Sequence, residues 1–163
     1  MINSMLEKVL FISGWAVLTI LVGYLLFRKI AKDSKAISFE ETFNKTGLPI
    51  ISLCNDSKQL NFLLDTGSDC CVINSKELKY LHYTDTKKKA STVDSSGLNQ
   101  RNIIRMTLND GDYIVHCRFV VMDLSAQFNE IYNKDKVRIH GILGSKFCKA
   151  AGLVIDFNKL RVY

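Results

Sequence analysis

The residues best suited to chemistry are Asp65 and the three that follow it, Thr66, Gly67 and Ser68. Residues 60–64 before them are mostly apolar, and a short apolar run bounded by turn residues predicts a buried strand. A carboxylate at the end of such a strand is costly to ionise unless hydroxyl and backbone N–H groups solvate it, and the next residues supply both. Taken alone, however, the four residues are more typical of an ordinary strand-ending turn.

A second motif, Ile142-Leu143-Gly144, lies near the C-terminal end of the sequence. Together with Asp65-Thr66-Gly67 it resembles the retropepsin-like aspartic proteases, single-domain relatives of pepsin that include retroviral proteases and membrane-anchored cellular forms. The resemblance covers residues 48–163, although residues 82–140 match only in general pattern. It implies that Asp65 is catalytic and that Thr66, Gly67 and Ser68 support the catalytic loop. It also implies that Ile142, Leu143 and Gly144 pack beneath that loop.

Hydrolysis of a peptide bond by aspartates needs two neighbouring carboxylates, one charged and one protonated. The sequence contains one Asp-Thr-Gly, and the stretch 94–97 is no second copy because it has an extra residue and no apolar strand before it. We therefore expect a homodimer in which each chain gives one Asp65 and acts on a polypeptide substrate. The resemblance further implies that Thr66 bonds across the dimer axis and that the Ser68 hydroxyl donates to the carboxylate.

Small residues around Ser95, Ser96 and Gly97 occupy the place where retropepsin-like proteases have a flap, a mobile hairpin that closes over the substrate. A glycine and two serines suit a tip that must move and let a peptide approach. An ordinary surface loop would have the same composition, so the flap is implied by the resemblance. The lysines at 87–89, just before it, predict a solvated turn.

Residues 9–27 carry no charge, and a helix of this length spans about 28 Å, close to the ~30 Å hydrocarbon core of a bilayer. We expect a transmembrane helix, with a cleaved signal peptide or a buried core helix as alternatives. Four cations follow it within residues 28–35, whereas only Lys8 precedes it, so the positive-inside rule predicts a short outer tail (residues 1–8) and a cytoplasmic C-terminal domain. Residues 28–46 are predicted to be a basic linker, and residues 47–163 the protease domain.

The amino-acid composition limits which partners and cofactors are expected for this chain. The net charge of +6 is shared evenly between residues 1–35 and the remainder, which is too little basic charge on the domain to predict nucleic-acid binding. The five cysteines are odd in number and two are adjacent, which indicates reduced thiols rather than a disulfide framework. No Cys-x-x-Cys or His-x-x-x-His spacing is present, so we expect neither a metal nor a cofactor. The expected partners are a second copy, a polypeptide, and a bilayer through residues 9–27.

The hydrophobic pattern predicts an all-β fold, a small closed barrel with one or two short helices, preceded by the transmembrane helix. About eight strands are expected, including a hairpin that turns at residues 109–111. Short helices are expected after Asn74, which with Glu77 could form a capping pair, and over residues 124–132. A further helix is expected between an N-cap at Ser145 and a C-cap at Gly152.

Two other functions remain open from the sequence. The chain could be a non-catalytic dimerisation or peptide-binding module that kept the fold, because a fold alone does not establish a function. It could also be a cysteine hydrolase that uses Cys148 and His140, although no spacing supports that pair. An Asp65→Asn variant separates the protease from the binding module, since it should abolish cleavage while dimerisation survives.

Overall fold

A computed structural model describes residues 37–94 and 97–163. The predicted tail 1–8, the transmembrane helix 9–27 and the linker up to residue 36 lie outside the described residues, as do Ser95 and Ser96 of the flap candidate. Among the residues that are described, no helix is long and apolar enough to cross a membrane.

The described chain is mostly β structure with three short α-helices and one 3₁₀ helix. In order, its elements are α1 (Phe39–Thr46), β1 (Ile50–Asn55), β2 (Lys58–Asp65), β3 (Cys71–Asn74), the 3₁₀ helix (Ser75–Tyr80), β4 (Thr84–Asp94), β5 (Gly97–Asn109), β6 (Ile114–Met122), α2 (Ser125–Asp135), β7 (Gly141–Gly144), α3 (Ser145–Ala151), β8 (Ile155–Asp156) and β9 (Arg161–Val162).

Seven strands form one sheet in the order β1-β2-β7-β3-β6-β5-β4, and β8 pairs with β9 separately. One further pairing, between Cys54 of β1 and Asn109 of β5, joins the first strand of this order to the sixth. Six strands therefore close into a ring, while β4 lies outside it and extends β5 as a long hairpin. This agrees with the predicted closed barrel, and the described residues form nine strands in all where about eight were expected.

Alternation of side chains builds the interior of the barrel. In β5 the residues Ile104, Met106 and Leu108 are buried and alternate with exposed neighbours, as the pattern predicts. Phe62 of β2 meets Phe119 of β6 inside, with ring centroids 5.7 Å apart. Each such side chain contributes roughly 1.5–3 kcal/mol by leaving water. The resulting core fixes which ends of β2, β3 and β7 meet.

The predicted linker is wrong over residues 39–46, where α1 forms. The Ser38 hydroxyl accepts a hydrogen bond from the Glu41 backbone N–H (3.1 Å), and Gly47 ends the helix with φ of +71°. Thr42 is fully buried, and its hydroxyl lies within hydrogen-bond distance of the Phe39 carbonyl of its own helix (2.9 Å) and of the Ile50 carbonyl on β1 (3.1 Å). This contact with Ile50 places the helix against β1. The polar composition of the segment concealed this capped helix, so the domain begins about ten residues before the predicted position 47.

Two smaller predictions also need correction. The helix after Asn74 is a 3₁₀ helix, and Glu77 forms an ion pair with Lys58 (3.0 Å) in place of a reciprocal cap. The lysines at 87–89 are exposed as expected but lie within β4, where the register shifts between Asp85 and Lys89. Lys87 and Lys88 therefore lie in a β-bulge or similar irregularity of the strand, and Lys89 pairs with Asn102, so the three lysines are not a turn.

Candidate active site

The two sequence motifs lie side by side because β2 and β7 are parallel neighbours. Leu63, Leu64 and Asp65 pair in register with Ile142, Leu143 and Gly144. The other edge of β7 pairs antiparallel with β3, so β7 lies between β2 and β3. Residues 66–70, which connect β2 to β3, must therefore pass across the end of β7, and Asp65 lies where that crossing begins.

Gly144 packs directly against the backbone of the crossing loop. A Cβ atom at this position would lie 2.7 Å from the Ser68 carbonyl oxygen and even closer to that of Cys70, so no larger residue fits. The Ser68 carbonyl also accepts two hydrogen bonds from Ser145, one from its backbone N–H (2.7 Å) and one from its hydroxyl (3.0 Å). The loop is thus held by β7 and by the first residue of α3.

This arrangement corrects the predicted N-cap of α3. Gly144 is the N-cap residue and Ser145 is the first helical residue, so the helix begins one position earlier than predicted. The Ser145 hydroxyl bonds to the loop, so it is not used to cap its own helix. Gly152 ends the helix in the left-handed conformation, as predicted, with φ of +65°.

The Asp65 carboxylate is partly exposed at the end of β2. Its Oδ1 accepts a hydrogen bond from the Gly67 backbone N–H at 2.9 Å, and its carbonyl oxygen accepts one from the Ser68 N–H at 3.2 Å. Thr66 and Gly67 are exposed beside it. One carboxylate oxygen is therefore oriented by the loop, and the group faces solvent next to an exposed hydroxyl.

The predicted bond from Ser68 to this carboxylate is absent from the described site. The Ser68 hydroxyl donates instead to the Cys70 carbonyl, two residues along, at 2.9 Å. Serine hydroxyls commonly bond to nearby backbone in turns, and here that local bond prevails. Ser68 therefore shapes the loop and does not contact the Asp65 carboxylate.

An ion pair that sequence reasoning missed lies at the rim of the loop. Lys146 Nζ is 2.8 Å from Asp69 Oδ2, and this hydrogen bond and charge lower the pKa of Asp69. Both side chains are largely exposed, so the pair adds little stability. Asp69 and Lys146 are 77 positions apart in the sequence, so no local sequence pattern predicts this ion pair. Asp69 is thus paired with a cation, whereas no ion pair of Asp65 is formed within the described residues.

The hairpin expected for the flap is present as β4 and β5. Asp94 pairs with Gly97, where β5 begins with φ of +99°, a conformation that favours glycine. Leu98, the next residue, is strongly exposed. The closing role of Ser95, Ser96 and Gly97 stays a prediction.

The residues of the alternative cysteine hydrolase do not form a nucleophile and base. His140 is buried, and its Nδ1 accepts the Asn61 backbone N–H at 2.9 Å. Burial raises the pKa of the Cys148 thiol, which lowers its thiolate fraction. Among the residues that the structure describes, no three His, Cys, Asp or Glu side chains are grouped to hold a metal ion.

Residues 51–147 match the sequence model of a family described as aspartyl protease, and this match spans more than half of the chain and both motifs. The chain therefore belongs to the aspartyl protease family, whose members are hydrolases. Among solved structures, the EIAV protease complexed with the inhibitor HBY-793 is similar, with a TM-score of 0.48 and 19% sequence identity. The alignment covers 64% of this chain and 88% of that one. No curated protein matches the sequence.

Proposed function

We propose that the chain is a membrane-anchored aspartic endopeptidase of retropepsin-like fold, whose catalytic pair consists of Asp65 from each of two copies. The observation that carries this proposal is that the site has one of the two carboxylates that the reaction needs. Asp65 is held in register with Gly144 and is partly exposed beside Thr66, yet the sequence contains only one such carboxylate. The nearest acid along the loop, Asp69, is paired with Lys146.

In this mechanism the two Asp65 carboxyl groups share one proton, because like charges at such short range cannot both ionise. The charged group takes a proton from water as the water attacks the peptide carbonyl, and the protonated group donates a hydrogen bond to that carbonyl. The Gly67 N–H keeps one oxygen of Asp65 oriented throughout. Thr66 of each copy bonds across the two-fold axis. No metal or cofactor takes part.

The substrate is an extended polypeptide that lies between the barrel and the β4–β5 hairpin, whose tip at Ser95, Ser96 and Gly97 acts as a flap. An extended peptide can pair its backbone with strand edges while side-chain pockets set its preference. The length of the hairpin, with 11 residues in β4 and 13 in β5, supports such a reach.

The membrane anchor is residues 9–27, with the cationic flank at 28–35 on the cytoplasmic side. Tethering would confine both copies to one surface, which raises their effective concentration so that a weak interface between domains suffices. Protection of residues 37–163 from protease added outside intact cells, and digestion after permeabilisation, would support this orientation. Digestion in intact cells would overturn it.

Asp65→Asn tests the catalytic assignment, with Glu130→Gln on the exposed surface of α2 as the matched acid-to-amide control. Cleavage of a proteome-derived peptide library by the purified full-length chain is the readout. We expect the Asp65 variant to lose cleavage and to keep dimerisation, while the control cleaves as the wild type does. Equal cleavage by Asp65→Asn would leave a peptide-binding or dimerisation module as the better description.

Mixing the wild type with Asp65→Asn tests whether the site is shared. If equal amounts associate at random, about one quarter of the dimers carry two aspartates, so activity falls to about one quarter of that of the same total amount of wild type. A site complete within one chain would leave about half. The two outcomes differ twofold, which a peptide-cleavage assay resolves.

A further inference from the structure

The sulfur atoms of Cys71 and Cys117 lie 3.3 Å apart, on the interior side of the sheet. Cys71 begins β3 and pairs in register with Phe119 of the parallel strand β6. Cys117 is two residues before Phe119, so it is the diagonal neighbour of Cys71 on the same face. Both cysteines are free thiols, and the Cys117 S–H donates to the Cys71 sulfur.

We propose that Cys71 and Cys117 form a modification site, which a peroxide oxidises reversibly to a disulfide. No sequence pattern indicates the pair, because its members are 46 residues apart. The site exists whether or not the chain has the proposed proteolytic function.

The environment gives the two sulfurs different roles. The hydrogen bond from Cys117 lowers the pKa of the Cys71 thiol; burial opposes this change, and the Gly144 backbone N–H adds to it. The same bond, together with burial, raises the pKa of Cys117. Of the two, Cys71 therefore more readily forms the thiolate, which is the nucleophilic form, and Cys117 is the resolving thiol.

The chemistry proceeds in two steps. The Cys71 thiolate attacks one oxygen of hydrogen peroxide, the O–O bond breaks, and the leaving hydroxide takes a proton to become water, which leaves a sulfenic acid on Cys71. The Cys117 sulfur then attacks the Cys71 sulfur, the S–O bond breaks, and hydroxide leaves with the thiol proton as a second water. Two thiols and one peroxide thus give one disulfide and two waters. Cys117 is the more exposed partner, so the small oxidant reaches the pair from its side.

The other cysteines are less suited to this reaction. Burial is the main cause that raises the pKa of both Cys70 and Cys148, so both are weaker nucleophiles than Cys71. Cys70 directly precedes Cys71, and successive residues of an extended chain point to opposite faces. Cys54 lies on β1, which is not a neighbour of β3 in the sheet.

Closing the disulfide should strain the site described above. The sulfur atoms must approach from 3.3 Å to about 2.05 Å. The start of β3 is drawn toward β6 as a result. Cys70, immediately before it, is packed against Gly144 without spare room, so the movement reaches the Asp65 loop. Reduced cleavage by the oxidised chain is a consequence that rests on the proposed function.

The test is peroxide treatment of the purified full-length chain, alkylation of the remaining thiols, digestion without reductant and mass spectrometry. We expect a cross-link between the peptides that contain Cys71 and Cys117, three alkylated thiols, and recovery of all five after dithiothreitol. Because Cys70 and Cys71 share a peptide, Cys70→Ser should keep the cross-link and Cys117→Ser should remove it. Cys54→Ser is the matched control and should keep it.

Three results would overturn the site. They are a cross-link that Cys70→Ser abolishes, a cross-link that survives Cys117→Ser, and oxidation of Cys71 to the sulfinic acid with Cys117 still free. None of these readouts requires catalysis, so the site and the proposed function fail independently. Unchanged cleavage by a fully cross-linked chain would refute the coupling to the Asp65 loop.

Discussion

Acid should destabilise this domain through His140, which is 6% exposed between β2 and the start of β7. Its Nδ1 accepts a hydrogen bond from the Asn61 backbone N–H at 2.9 Å. A proton on Nδ1 would break this bond, because two N–H donors would then face each other. The pKa of His140 is lowered from 6.5 to about 4, chiefly by burial; the charge of Lys58 contributes to this lowering and that of Glu77 partly opposes it. The folded state therefore prefers the neutral imidazole.

The sign and size of the effect follow from this difference. Unfolded chains bind a proton at His140 near pH 6.5 and folded chains only near pH 4, so between these values the unfolded state holds more protons. The stability that the neutral side chain provides is complete above pH 6.5 and is lost as the pH falls to 4. An interval of about 2.5 pH units corresponds to about 3 kcal/mol, a large share of the roughly 5–15 kcal/mol that holds a domain folded.

Urea unfolding between pH 4 and 7.5 measures this loss, with His140→Asn as the variant because its amide oxygen can still accept the Asn61 N–H. The advantage of the wild type over His140→Asn should shrink by about 3 kcal/mol from pH 7 to pH 4. His116→Asn, on the exposed face of β6, is the control, and its slope should change less. Parallel stability curves for the wild type and His140→Asn would refute the reasoning. If that variant does not fold, an NMR titration of His140 in the wild type should give a midpoint near pH 4, and a midpoint near 6.5 refutes it.

Two further predictions concern the support of the site and the first helix. Gly144→Ala would drive a methyl group into two loop carbonyl oxygens and should cost about 3 kcal/mol of unfolding free energy, together with cleavage activity. Gly152→Ala, which meets no atom within 4 Å but has a positive φ, should cost only about 1 kcal/mol, and equal losses in urea unfolding would contradict the steric argument. Thr42→Val removes the buried hydroxyl that lies between the Phe39 and Ile50 carbonyls and should cost about 1–2 kcal/mol, whereas the exposed Asn44→Ala should be nearly neutral. Equal stability of these two variants would show that α1 is not docked as described.

Local patterns predicted the elements whose signals are complete within a few residues. The alternation in β5, the turn at Asp110 and Gly111, and the apolar stripe of α2 each needed no information from elsewhere in the chain. In contrast, α1 is polar in composition and is stabilised by a cap and by the docking of Phe39 and Thr42 on the barrel. Its long-range contacts could not be read from periodicity.

In the candidate site, too, some features were predicted from the sequence and others depend on long-range contacts. Asp65 and the triplet at 142–144 were found through a family resemblance, and their register in the sheet places them side by side. The bonds that fix the loop were not predictable, because Ser68 bonds to Ser145 and Asp69 to Lys146, each across a sequence separation of 77. Even the hydrogen bond of Ser68 was not predictable from the sequence. Its hydroxyl has two acceptors within three residues, the Asp65 carboxylate and the Cys70 carbonyl, and it donates to the Cys70 carbonyl.

The loop that carries Asp65 is fixed from several sides, and this rigidity bears on how a second carboxylate could arrive. Gly144 leaves no room below the loop, and Ser145 binds the Ser68 carbonyl with two donors. A rigid loop cannot bend to bring Asp69 beside Asp65, and Asp69 is in any case paired with Lys146. On the proposed mechanism the missing carboxylate must therefore come from another molecule. Activity would then depend on the square of the density of unpaired chains in the bilayer, because each working site consumes two of them.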